Sequence, residues 1–154
     1  MERAPAGEIR WTADPRSPGF AVGITEATIH ALVHSFYGRV QQDPTLGPIF
    51  AARVDDWPEH LEKMCAFWSS VVLMSGRYKG RPMPVHARIT ELNGAHFEHW
   101  LALFRATAAE VCEPPAAVVF IDRAERIAQS LQMGIALHRD AVESMRQAET
   151  EGGQ

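Results

Sequence analysis

The chain has 154 residues, 46% of them hydrophobic, which is one domain's length with enough apolar material for a single core. Its net charge of −4 and the lack of any Lys/Arg cluster argue against nucleic acid or an anionic membrane as the main partner. No apolar stretch approaches the ~20 residues of a membrane span, and no secretory signal follows Glu2 and Arg3, so a cytoplasmic protein is expected.

Residues 1–24 hold Pro5, Pro15, Pro18, Gly7, Gly19 and Gly23 without a helical or alternating pattern, and read as a poorly ordered N-terminal arm. Thr25 is a natural N-cap, and Glu26 behind it suits the positive end of a helix dipole. Ile29, Leu32, Val33, Phe36 and Val40 then recur at helical spacing as far as Gln42, where Asp43-Pro44 stops the helix. Leu46 to Phe50 reads as a short turn or a single helical turn. Asp55 or Asp56 caps a second helix, with Pro58 in its first turn.

At 100° per residue, Trp57, His60, Leu61, Met64, Phe67, Trp68, Val71 and Met74 share one broad face of that helix. Glu59, Glu62, Lys63, Ser69 and Ser70 lie opposite or on its margin, Leu73 is the exception, and Gly76 ends the run. Tyr78 to Pro84 reads as a loop, followed by a short helix carrying His86. After Asn93-Gly94 a third long helix sets Phe97, Trp100, Leu101, Phe104, Ala108 and Val111 on one face and terminates at Pro114-Pro115. The last helix aligns Ile121, Ala124, Ala128, Leu131, Ile135 and Val142, and Glu149 to Gln154 form a frayed polar tail. No period-2 run bounded by hairpin turns occurs. The expected fold is all-α, one domain over 25–148 between the arm 1–24 and the tail 149–154.

Chemistry concentrates in a few residues. His60 sits within an apolar helical face, and His86 closes the Pro/Gly-punctuated stretch Tyr78-Lys-Gly-Arg-Pro-Met-Pro-Val-His86. Two imidazoles aimed into an apolar interior from opposite walls point to a buried cofactor, with haem iron the usual candidate. A lone histidine on an apolar face is more often a hydrogen-bonded core residue, however, and periodicity leaves that alternative open. Tyr37 and Trp100 each combine an apolar body with one donor; on periodicity alone they are core aromatics. His30 and His34 lie toward a polar side, His96 and His99 stand three apart, and His138 falls on the apolar side of the last helix. HExxH, Glu-x-x-His pairs, a phosphate loop, a GxSxG elbow and CxxCH are all absent. Cys65 and Cys112 fit no metal or redox spacing and read as buried thiols.

Six motifs in order carry a resemblance: Phe36-Tyr37, Asp43-Pro-Thr-Leu-Gly-Pro-Ile-Phe50, Trp57-Pro-Glu-His60, Phe67-Trp68, the Tyr78–His86 stretch, and His96-Phe-Glu-His-Trp100-Leu-Ala-Leu-Phe104. Together they resemble the truncated haemoglobins, specifically the group III type, over about Thr25 to His138. The resemblance implies a truncated globin fold, a two-over-two helical sandwich around haem b. It implies His86 as the proximal iron ligand, Tyr37 as the distal hydroxyl donor and Phe50 as a ring packed on the porphyrin. His60 then matches the distal histidine, as a gate or as a second iron ligand, and Trp100 lines the distal pocket. Met64 and Phe67, one and two turns beyond His60, line the same wall, and Lys63 matches the basic residue that meets a haem propionate.

The implied activity is reversible binding of O2 and related ligands, NO, CO or peroxide, with redox chemistry on them and a reductase as partner. A haem enzyme with peroxidase-like or NO-dioxygenase activity is the alternative, and a haem-based sensor module the third reading.

Overall fold

In the computed structural model, which describes residues 12–80 and 92–152, every regular element is helical. A single 3-10 turn, Phe20–Val22, precedes α1 (Glu26–Gln42), α2 (Leu46–Arg53), α3 (Trp57–Leu73), α4 (Gly94–Val111) and α5 (Pro114–Glu151). The short helix expected around His86 lies outside the described residues.

Local chemistry sets the helix ends. Thr25 Oγ1 accepts from the Thr28 amide while Thr28 Oγ1 accepts from the Thr25 amide, so two otherwise orphaned donors at the head of α1 are satisfied reciprocally. At its far end Asp43 leaves the helix, and Asp43 Oδ1 takes the amides of Thr45 and Leu46 at 2.9 and 2.8 Å, which launches α2. That element is longer than the single turn expected. Gly47 permits it, because a Cβ there would lie 3.0 Å from the Gln41 carbonyl oxygen.

Asp56, of the two candidate caps, receives the Glu59 amide at 3.1 Å. At the far end of α3 Met74, two residues before Gly76, takes a left-handed conformation, φ 53°, and closes the helix. Met74, placed on the apolar face by periodicity, is therefore exposed. Asn93 and His96 repeat the reciprocal cap at the head of α4. Pro114-Pro115, expected to terminate that helix, instead open α5, since α4 has already ended at Val111. Prolines fit a first helical turn because their missing N–H groups need no partner there.

α1 packs on α3 and α4 on α5, and the two pairs meet through α1 against α4 and α3 against α5. The result is two helices over two. Phe36, Trp68, Phe104 and Phe120 fill the centre: Trp68 stacks on Phe104 at 5.2 Å, and Phe36 meets Phe104 edge-on at the same distance.

Two regions differ from the expected outline. Residues 12–24, read as part of a loose arm, are tied to the end of α3 by backbone bonds from Asp14 to the Leu73 carbonyl and from Gly19 to that of Val72, both 2.8 Å. Ser17 and Ile24 are buried there, and a Cβ on Gly19 would fall 2.7 Å from the Val72 oxygen. At the other end α5 runs to Glu151, so residues 149–151 are helical rather than frayed. Its last buried residue is Ile135; Val142 and His138, expected on an apolar face, are exposed because the helix outruns the elements it packs on.

Candidate functional site

α3 carries two apolar arcs rather than one. Cys65, Trp68, Ser69, Val72 and Leu73 are fully buried against the body of the protein. His60, Leu61, Met64, Phe67 and Val71, centred about a third of a turn away, are only half-buried. Ser69 and Leu73 thus belong to the buried side, contrary to a single-face reading. Ser69 is tolerated because its hydroxyl donates to Glu26 and meets the Ser75 hydroxyl at 2.6 Å. Arg77 completes the network with an ion pair to Glu26 at 3.0 Å, fixing the chain as it leaves α3.

At the head of the half-buried arc the rings converge. Tyr37, projecting from α1, lies edge-on to His60 with ring centroids 5.3 Å apart. Phe50 of α2 is 5.9 Å from Tyr37 and 6.5 Å from His60, and the His60 Nε2 is closed to solvent. Trp57 joins them, 5.5 Å from His60 and 6.2 Å from Tyr37. Sequence reasoning placed Trp57 on the helix face but not in the site; its position one turn before His60 was the available signal.

Tyr37 is buried, and burial, with a smaller contribution from Cys65, pushes its phenol well above the ordinary range, so it is a neutral donor.

The other expected site residues are more scattered. Trp100 is half-buried and stacks on Phe104 at 5.4 Å, reaching Tyr37 through the intervening ring of Phe36 at 5.3 Å. Phe67 packs against Trp68 and Tyr78, and Met64 against the core. Lys63 is exposed beside the arc and pairs with Glu59 at 3.3 Å. His86 lies outside the described residues. The remaining histidines stand elsewhere: His99 bonds Asp43 at 2.7 Å, His96 caps α4, His138 is exposed, and His30 and His34 stack on each other at the surface. Both thiols are buried, and burial raises their pKa values. Two surface hollows, one at Arg105 and Glu125 and one at Val22 and Cys112, share no residue with the ring cluster.

A family model described as bacterial-like globin matches residues 21–133. The Group 3 truncated hemoglobin ctb of Campylobacter jejuni is 33% identical over 113 residues, covering 71% of this chain and 89% of that protein. The chain belongs to the group III truncated haemoglobins. Among solved structures, the group III truncated haemoglobin of Campylobacter jejuni superposes with a TM-score of 0.68 at 33% identity, over 73% of this chain and 91% of that one. The group II truncated haemoglobin of Bacillus anthracis gives 0.60 at 28% identity, over 77% and 90%.

Membership in a globin family implies haem, and the described residues of this truncated haemoglobin fit it. A half-buried apolar arc on α3 supplies wall for a flat macrocycle, and buried Tyr37, edge-on to His60, brings a hydroxyl donor to its head. None of the described helices is long and apolar enough to cross a membrane.

Proposed function

We propose that this globin holds haem b with His86 as the iron's protein ligand, and that it reversibly binds O2 and related small ligands, NO, CO or peroxide, with redox chemistry on them. The observation that carries the reading is the pairing of the half-buried α3 arc with a buried phenol set edge-on to a histidine at 5.3 Å. When bound, haem supplies an iron with one coordination position left for a small ligand.

The chain's own residues do the rest. Tyr37, held neutral by burial, offers its O–H to a ligand that carries partial negative charge. Donation inside an apolar pocket is stronger than in water, because no solvent dipoles compete with it. Phe50 and Trp57 exclude water from that spot, Met64 and Phe67 extend the wall, and Trp100 backs it through Phe36. Lys63, on the exposed rim, meets a propionate.

Peroxidase-like or NO-dioxygenase turnover is the second reading. It is favoured by His60, whose imidazole beside Tyr37 can take or give a proton in the pocket. Turnover of this kind also requires a reductase.

Absorbance spectra of the purified protein, ferric, ferrous and with CO, test the reading. A Soret band that shifts with CO is expected, with haem lost or weakly held in His86→Ala and retained in His99→Ala. Full retention and an unchanged Soret band in His86→Ala overturn the ligand assignment.

A further inference from the structure

The outer face of α1 carries a feature that the haem site does not use. His30 and His34, four residues apart, stack there with ring centroids 3.9 Å apart and planes 21° from parallel, and both are exposed. Residues four apart on a helix lie one above the other, so the pair forms one small surface. Ala27, Ala31, Gly38 and Gln41, all exposed beside it, are small or uncharged, and Glu26, one turn before His30, is paired with Arg77. Beyond Gly38 nothing lies within 4 Å of where a Cβ would stand, which leaves room beside the His34 ring.

We propose that His30 and His34 form a two-imidazole site for a divalent transition-metal ion, with water in the remaining coordination positions. Imidazole nitrogen suits zinc, copper and nickel, whereas the hard ions calcium and magnesium take oxygen. An ion bound to both rings stands about 2.0–2.1 Å from each nitrogen, which sets the two nitrogens roughly 3–3.5 Å apart in cis or tetrahedral geometry. The rings, stacked at 3.9 Å, reach that spacing when side-chain rotation turns one nitrogen of each toward a shared point, which leaves the helix in place. Once one ring has bound, the second binds without a further loss of translational freedom, so the pair exceeds a lone surface histidine. Bound metal bridges two turns of α1 and stabilises the folded state in proportion to its free concentration.

The haem-loaded full chain, without an affinity tag, is titrated with zinc(II) and with nickel(II) by calorimetry, beside His30→Gln, His34→Gln and His138→Gln. These positions are exposed, and far-UV circular dichroism confirms that each variant is folded. One site per chain is expected in the wild type. Affinity falls about tenfold or more in either α1 variant and stays unchanged in His138→Gln, while the haem spectrum is the same with and without metal. Equal affinity in His30→Gln or His34→Gln, loss of affinity in His138→Gln, or no binding by the wild type overturns the proposal.

Discussion

Removing one oxygen atom from Tyr37 separates a working ligand pocket from an aromatic core. Tyr37→Phe keeps the ring that meets Phe36 at 5.0 Å, His60 at 5.3 Å and Phe50 at 5.9 Å, so folding stability should change by less than about 1 kcal/mol. A bond from the phenol to a partly charged ligand is worth on the order of 1.5–3 kcal/mol. Since ~1.4 kcal/mol is a factor of ten, O2 should leave roughly ten- to a hundredfold faster from the variant. Carbon monoxide is far less polar when bound and should respond much less. Burial keeps the phenol protonated, so the difference between wild type and variant should be flat from about pH 6 to 9. Stopped-flow release of both gases reads the ratio. Equal changes for the two gases, or no change for O2, would refute the assignment of Tyr37 as the donor.

Three further outcomes are expected. Burial alone would raise the pKa of Asp43, but the Leu46 amide, His99 and the Thr45 amide together hold it below its ordinary value. A depressed carboxyl stabilises the fold above its unfolded value of roughly 3.9, and that contribution is lost as the pH falls through the lower folded value. Urea midpoints should therefore show Asp43→Asn weaker than wild type by about 1 kcal/mol at neutral pH, with the gap closing in acid; a gap that widens in acid would contradict it. Phe104→Ala removes the ring stacked between Trp68 and Trp100 and should cost about 3–5 kcal/mol in chemical denaturation. Lys63→Ala should quicken haem transfer to apomyoglobin by less than about fivefold, because the group is exposed and already shared with Glu59; a much larger effect would give Lys63 a greater role.

The sequence revealed most where side-chain pattern and local capping coincide. Thr25, the apolar spacing to Val40 and the Asp43-Pro44 stop bracket α1 as it is observed. Periodicity did less well wherever it had to say what lies opposite a face. His138 and Val142 continue the register of α5, yet both are exposed. Ser69 looks polar and marginal in sequence, but its partner Glu26 is remote in the chain, as is the pairing of the 12–24 segment with Val72 and Leu73, which runs through backbone groups that carry no sequence signature. Tyr37, Phe50 and His60 were legible as a set only through the order and separation of the family motifs, and the fold brings those three together. Trp57 was visible on the helix face but became part of the cluster only when the first turn of α3 met Tyr37 of α1 and Phe50 of α2.

The long last helix has a consequence for how the protein opens. At 1.5 Å per residue α5 is about 57 Å from end to end, and its final stretch, 136–151, buries no side chain. Arg139 pins the start of that stretch by donating to the Leu92 carbonyl at 2.7 Å. Past this point the helix rests on intrinsic propensity and short-range bonds such as that from the Thr150 hydroxyl to the Arg146 carbonyl, and unpacked helices of such length are marginal in water. In amide exchange α5 should therefore behave as two units on one axis. Amides between Ala117 and Ile135 exchange only when the whole globin unfolds, while those beyond Asp140 open turn by turn from the C-terminus at little cost.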